Sequence, residues 1–424
     1  MSANQSARME TRRRAIARLA AAGAAASIAP VGLGACGSPR ALSTTAIPPL
    51  GPARSHALNA RPFVFLERMM DLYYGGSTLR LVQSFVPTPA LNLGDLTFTY
   101  DNAVMICALL ARGDVRDLAR ARVLGDSLVY AQAHDPFGDG RIRSAYYVHP
   151  FIRSNGVPNF ESGDGFDVGN TAWTGLALMK LFFATKDTAY LMPAQALGNW
   201  IYNNAWDTHG AGGYTGGLNV NGTRIRWKST EHNIDTFAFF TMLATATNDD
   251  TWTQRAAPAL AFVDTMWNAA KEFYWIGSLD DGVSANTIPI PEDVQSWSFL
   301  GTQRSAYAAS IDWAYANLSA SDNGLRGVSF SNADRSGVWF EGTAHMAAAL
   351  KLRNGPGDAV KAAAYLRDLA RAEQFAPHTD GYGIDAASKN GLRTGDGDSY
   401  FAALHVGATA WYAIAEYNGN PFVA

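Results

Sequence analysis

Six times between residues 99 and 401 the chain writes a short polar and aromatic phrase and follows it with a small, apolar helical stretch. The phrases are Thr99-Tyr100-Asp101-Asn102, Asp167-Val168-Gly169-Asn170-Thr171-Ala172-Trp173, Ser229-Thr230-Glu231-His232-Asn233-Ile234-Asp235, Glu292-Asp293-Val294-Gln295-Ser296-Trp297, Trp339-Phe340-Glu341-Gly342-Thr343-Ala344 and Asp398-Ser399-Tyr400-Phe401. Their starts, near 101, 168, 231, 293, 341 and 400, lie 67, 63, 62, 48 and 59 residues apart. A recurrence of this length marks a supersecondary unit that must stack on its neighbours to bury its faces.

The unit is a helix hairpin. Apolar residues return at i, i+3, i+4 and i+7 over Phe63–Tyr74, Asp101–Ala111, Leu118–Ala131, Asn170–Ala184, Tyr190–Ala205 and Asp235–Thr247. The pattern continues over Trp252–Ala269, Val294–Gly301, Ala306–Leu318, Glu341–Leu352, Ala359–Ala372 and Phe401–Tyr417, predicting twelve helices in all. The helices that open with a phrase are apolar nearly all round, as in Ala103–Leu110, and belong inside. Those between them carry Arg, Asp and Lys on one face and belong outside. Six inner helices alternating with six outer ones predict an all-α chain closed into an (α/α)6 toroid, with a cleft at one end of the inner helices. The segment at 57–75 closes the ring beside the last inner helix. An open solenoid would need polar caps at its ends, and the last helix, with Ala410, Trp411, Ile414 and Ala415, offers none.

Residues 1–36 read as an export signal: Arg12-Arg13-Arg14, an Ala-rich stretch, then Leu33-Gly34-Ala35-Cys36. The ending resembles a bacterial lipobox, with Cys36 acylated, and the Arg run resembles a twin-arginine signal. Arg18 and the Gly and Pro positions interrupt any apolar run long enough to span a membrane. Residues 37–56 read as a flexible tether and 57–424 as the catalytic domain. These features predict a periplasmic or cell-surface protein, a monomer held to the membrane only by a lipid at Cys36. Residues 1–35 hold five Arg and one Glu, so the remainder carries 29 basic against 36 acidic side chains, net −7. That balance argues against a nucleic-acid partner. Charged residues make up 17% of the chain and aromatic residues 12%; a disordered chain or coiled coil would be richer in charge and poorer in rings. Cys107 sits on an apolar helix face, where a buried, unreactive thiol is expected.

Inner helices opening with acid and aromatic phrases resemble those of the six-hairpin glycosidase superfamily over about residues 57–424, as judged from the repeat. The resemblance implies a toroid acting on carbohydrate, and inversion as the stereochemical outcome if the reaction is hydrolysis. Polysaccharide lyases and epimerases share the toroid.

The residues themselves carry a chemistry. With the inner helices parallel, one end of the barrel collects Asp101, Asn170, Glu231, His232, Asp235, Gln295, Glu341 and His405, together with Trp173, Trp297, Trp339 and Tyr400. Glycoside hydrolysis needs one carboxyl group to protonate the leaving oxygen and another to activate water or attack carbon. Glu231 is assigned as the acid and Glu341 or Asp101 as the base, with Asp235, one turn beyond Glu231, holding the acid or a hydroxyl. A Glu placed among apolar residues should have a raised pKa. Asn170, His232, Gln295 and His405 would bind hydroxyls, and Trp173, Trp297, Trp339 and Tyr400 would offer faces to sugar rings. Asp167 and Asp293 read as helix caps. A lyase built from Tyr100, Tyr400, Asn170, His232, His405 and Arg226 is the second reading, and a non-catalytic glycan-binding lipoprotein the third. No cofactor or metal is expected. Asp135–Gly140 and Asp396–Asp398 do not complete a calcium loop, and His209, His345 and His378 lack zinc spacing. The glycines at 210–217, with Tyr214, read as a loop bordering the cleft.

Overall fold

The structure, a computed structural model, describes residues 58–163 and 165–424. The expected segments all form helices: α1 (Arg61–Met70), α2 (Thr99–Arg112), α3 (Val115–Ala133), α4 (Val168–Thr185), α5 (Thr188–Ala205) and α6 (Thr230–Thr247). They continue as α7 (Asp250–Thr265), α8 (Asp293–Thr302), α9 (Ala309–Asn317), α10 (Phe340–Arg353), α11 (Asp358–Phe375) and α12 (Val406–Glu416). Even-numbered helices pack side by side in the order α2, α4, α6, α8, α10, α12, and α12 returns to α2. The ring is closed. Each odd-numbered helix from α3 to α11 lies against the inner helix before it, and α1 packs on α12, so the fold is an (α/α)6 toroid.

Turn chemistry sets the direction of every hairpin. The inner helices α2, α4, α6, α8 and α10 end on left-handed residues: Gly113 (φ 72°), Lys186 (58°), Asn248 (53°), Gln303 (52°) and Asn354 (50°). The N–H of each returns to the carbonyl four residues back, which satisfies a helix end and turns the chain at once. Asp114, Asp187 and Asp249 then cap the following outer helices. These tight turns all lie at one end. At the opposite end, where the inner helices begin, the connections are long: 71–98, 134–167, 206–229, 266–292, 318–339 and 376–405.

Those connections are not structureless. They pair into thirteen strands of two to four residues among the described residues. Leu96–Phe98 pairs with Ala145–Tyr147, and Leu392–Arg393 with Ser399–Tyr400. Pairing also moves helix ends. Helix α7 stops at Thr265 because Trp267–Asn268 pairs with Phe273–Tyr274. Residues 401–405 stay extended, with Leu404 bridging Asp385 and His405 bridging Phe85, so α12 starts at Val406. Asp135 accepts from the Arg143 Nε at 2.5 Å, and both are buried.

The barrel axis is filled by indoles. Trp173 and Trp297 lie 5.1 Å apart, Trp297 and Trp411 5.8 Å, and Phe422 packs 5.2 Å from Trp173. Inner helices approach closely where small residues allow it. A Cβ built on Gly175 of α4 would stand 2.2 Å from the Phe239 ring of α6. Gly175→Val should therefore cost about 1–3 kcal/mol by overpacking, read as a lower denaturation midpoint. Cys107 is buried, and burial pushes its thiol up to about 12, which fits an inert core position.

Two buried acids make stability depend on pH. Burial pushes Glu373 of α11 up to about 7, against a hydrogen bond from the Asn59 side chain and the nearby Arg61 guanidinium. Burial likewise pushes Asp385 up to about 7, against the His378 N–H at 3.0 Å. Both favour the protonated form in the fold. Their stabilising contribution is full below the ordinary carboxyl range and is lost as pH rises through about 7. The melting temperature should fall by about 1–3 °C across neutrality, and Glu373→Gln should flatten part of that slope in a thermal-denaturation series.

Candidate active site

The first turns of the inner helices converge on a pocket that, with the solvent space at its mouth, encloses about 420 Å³. Tyr100 of α2 contributes to it, as do Asp167, Gly169, Asn170 and Trp173 at the start of α4 and Glu231 and His232 of α6. Asp293 and Trp297 of α8, Trp339, Glu341 and His345 at α10, and Tyr400 ahead of α12 complete the lining. Carboxylates are favoured here because helix N-termini present free N–H groups and a positive dipole end. Asp167 shows the effect directly: its Oδ1 accepts the Asn170 N–H at 2.6 Å, and its Oδ2 accepts from the Asn170 side chain at 2.7 Å and Ser144 at 2.5 Å.

A buried polar chain runs behind the wall that carries Glu341. The Tyr100 hydroxyl donates to Glu341 Oε1 at 2.6 Å, and the Trp411 Nε1–H donates to the Tyr100 oxygen at 2.7 Å. His405 stacks on Phe85 at 4.2 Å, and its Nδ1 accepts the Ala408 N–H at 3.1 Å. In the neutral ring this leaves the proton on Nε2, which faces Asp101 Oδ1 at 3.3 Å. His405 Nδ1 stands 3.6 Å from Glu341 Oε2. On the other side His345 Nε2 is 3.9 Å from Glu341 Oε1, and its Nδ1 is 3.3 Å from Glu292 Oε2. Burial pushes Glu292 well above the ordinary carboxyl range, opposed by a hydrogen bond with Ser296 and reinforced by Asp293 and Glu341. Asp235 is also pushed well above it, by burial and then by Glu231, Asp293 and Asp167.

Of the residues expected at this end, Asn170, Trp173, Glu231, His232, Trp297, Trp339, Glu341 and Tyr400 line the pocket. Four do not. Asp101 is fully buried beside His405, at 3.3 Å, and His405 itself lies behind the wall. Asp235 sits one turn below Glu231 inside the ring. Gln295 turns away to the loop before α8: its Oε1 accepts the Tyr274 N–H at 2.8 Å and its amide donates to the Tyr274 and Pro291 carbonyls, both at 3.0 Å. The buried position has converted a candidate hydroxyl binder into a backbone clamp.

The indoles also differ from the sugar platforms expected of them. Trp173 and Trp297 are 1% and 2% exposed and present their faces to each other, to Trp411 and to Phe422. Trp339 packs between Phe330 and Tyr400 at 5.0 and 5.4 Å. They close the pocket rather than floor an open groove. Asp293 is not the α8 cap; it opens the first turn, accepts the N–H of Val294 and lines the pocket. The glycines at 210–217 do not line the pocket either, because Tyr214 is buried with its hydroxyl on the Arg255 carbonyl. His345 and Glu292 are additions. Their signal was available as a Glu–His pair four residues apart on an otherwise apolar helix and a second acid beside Asp293.

No family model and no curated protein matches the chain. Solved structures do. A D-mannose isomerase superposes with a TM-score of 0.61 at 13% identity, over 84% of this chain and 96% of that one. The chain has the six-hairpin toroid fold. A family 76 glycoside hydrolase from Bacteroides thetaiotaomicron superposes at 0.58 and 13% identity, over 84% and 76%. The cellobiose 2-epimerase of Bacillus thermoamylovorans superposes at 0.59 and 12% identity, over 84% and 98%. Likenesses at this identity establish architecture; the chemistry has to come from the pocket.

Proposed function

We propose that the protein is a glycoside hydrolase acting on a poly- or oligosaccharide. The observation that carries this reading is the placement of Glu231 and Glu341, from helices separated by α8 in the ring, in one aromatic-walled pocket. Paired carboxyl groups across a pocket are what glycosidic cleavage requires. Glu341 is assigned as the base, held in place by the Tyr100 hydroxyl, which donates to it at 2.6 Å. Asp101 lies behind His405, outside the pocket, and is assigned a positioning role. Glu231 is the acid that protonates the leaving oxygen. Toroids with the same fold include family 76 glycoside hydrolases, which supports the assignment. Arg12–Arg14 and Cys36 lie outside the described residues; their pattern supports export and lipid attachment at the cell envelope.

A second reading, isomerisation or epimerisation of a sugar, is favoured by His232 and His345 in the lining and by the shared fold of the D-mannose isomerase and the cellobiose 2-epimerase. An imidazole beside the carbon next to a carbonyl is the group such a proton transfer uses. The uronate lyase reading has less support, since Arg226 is exposed and no lysine or arginine lines the pocket. A glycan panel separates these outcomes. New reducing ends without ultraviolet-absorbing product support hydrolysis; exchange of the C2 proton in deuterated water without new ends supports isomerisation or epimerisation. An unsaturated product means a lyase, and retained binding with none of these means a binding module.

A further inference from the structure

Each earlier inner helix is followed by an outer one, but the chain after α12 takes another course. The left-handed Asn418 (φ 58°) turns it across the end of the barrel opposite the pocket. Three contacts fix it there. The Gly419 N–H donates to the Ile414 carbonyl at 2.9 Å, and the Asn420 amide donates to the carbonyl of Leu300, in the last turn of α8, at 3.0 Å. The third is Lys180 of α4, whose Nζ donates to the Val423 carbonyl at 3.0 Å and the Asn420 carbonyl at 3.4 Å. Asn420 Oδ1 also accepts the Phe422 N–H at 3.0 Å. Phe422, 2% exposed, thus enters the barrel from this end, with its ring 5.2 Å from Trp173 and 5.5 Å from Trp297.

Both indoles line the pocket, and Phe422 does not. Each indole bears on a group next to one of the two glutamates. Trp173 interacts with Asp235, the buried acid one turn below Glu231. Trp297 lies 5.0 Å from His345, whose Nε2 is 3.9 Å from Glu341 Oε1. Both indoles also meet the ring of Tyr100, the donor to Glu341, at 4.9 and 6.3 Å. A close-packed interior passes a displacement on instead of absorbing it, and a misplacement of about 1 Å far from the reacting atoms can cost about 100-fold in rate. We propose that Phe422 is a positioning residue: a wedge, held by Lys180 and Asn420, that sets the spacing of Glu231 and Glu341 by fixing Trp173 and Trp297. The proposal rests on the hydrolase reading for the roles of the two glutamates. It adds that the geometry of the pocket is set from the far end of the barrel.

The test compares four variants of the full chain, all well below their melting temperatures: Phe422→Ala, Phe422→Leu, Lys180→Met and Leu128→Ala. The last truncates a fully buried side chain on the outer helix α3 and controls for lost stability alone. Reducing-end release from manno- and cello-oligosaccharides gives kcat and KM. Near-ultraviolet circular dichroism reads the indoles Trp173, Trp297 and Trp411, whose rings lie within 6 Å of one another. Phe422→Ala should change the near-ultraviolet spectrum and lower kcat about tenfold, with KM moving less than about threefold. Phe422→Leu, which refills most of the space, should recover to within about threefold of wild type. Lys180→Met, which frees the wedge without touching the pocket, should act in the same direction as Phe422→Ala and less strongly. Leu128→Ala should lower the melting temperature and leave kcat at the wild-type value. Wild-type kcat in Phe422→Ala, or an equal loss in Leu128→Ala, overturns the proposal. Should Phe422→Ala fail to fold, Lys180→Met decides, and a wild-type kcat and spectrum there overturn it. If the wild-type chain cleaves no glycan, the hydrolase reading falls by itself. Crystal structures of wild type and Phe422→Ala then decide, and Glu231 and Glu341 carboxyl groups at unchanged positions overturn the wedge.

Discussion

Glu231→Gln and Glu341→Gln should each lower the proposed glycan hydrolysis by about 10³-fold, at the scale of losing a positioned general acid or base. Both variants should fold. Glu341→Gln keeps a carbonyl oxygen that accepts from the Tyr100 hydroxyl, so the buried chain through Trp411 survives while the base is lost. Glu231 is partly exposed at the pocket, so its amide replacement leaves no buried group stranded. The double variant falls little further than either single one, because residues that act in one step are not additive. Reducing-end release at saturating glycan, with a melting curve for each variant, checks all three. Wild-type rates in both single variants would remove these glutamates from the mechanism.

The second large effect is at Trp411, which does not itself line the pocket. Trp411→Ala should destabilise the protein by about 3–5 kcal/mol, the usual cost of emptying a fully buried aromatic site. The reason is its place in the ring. Trp411 lies on the last inner helix, its Nε1–H donates to Tyr100 on the first, and its ring meets Trp173 and Trp297. One side chain therefore helps close the toroid and orients the hydroxyl that holds Glu341. Trp411→Phe separates the two roles: it keeps a ring but removes the N–H. It should cost about 1 kcal/mol of stability or a little more and lower kcat about tenfold with little change in KM. Denaturant unfolding gives the first quantity and steady-state kinetics the second. A KM change with unaltered kcat would mean that Trp411 shapes binding and not the base.

The architecture was legible in the sequence because two independent patterns agreed. Helical periodicity separated twelve helices, and the recurring phrases told inner from outer. Ring closure was legible from the apolar last helix, since Trp411, Ile414 and Ala415 have no place on a solvated end. Helix ends were read less well wherever a loop found a strand partner, as at Trp267 and at residues 401–405. In the site, the helix that carries each residue was legible but its depth was not. A phrase shows that Glu231 and Asp235 share a helix face; it does not show that one turn takes Asp235 out of the pocket and into the ring. Gln295 and His405 were misread for a related reason. Their side chains satisfy backbone groups, of Tyr274 and Pro291 in one case and Ala408 in the other, that come near only after folding. Trp173, Trp297 and Trp339 were expected to offer faces to sugar rings, but they pack against neighbouring rings.

Cleavage between Glu231 and Glu341 requires a sugar bound in this pocket with its glycosidic bond between them. A crystal structure of the Glu231→Gln variant soaked with an oligosaccharide from the panel would show this. A glycosidic oxygen should lie within hydrogen-bond reach, about 3 Å, of residue 231, with the anomeric carbon turned toward Glu341. An intact sugar whose C2 faces His232 or His345 and whose glycosidic bond lies away from both glutamates, or a sugar bound outside the pocket, would contradict it.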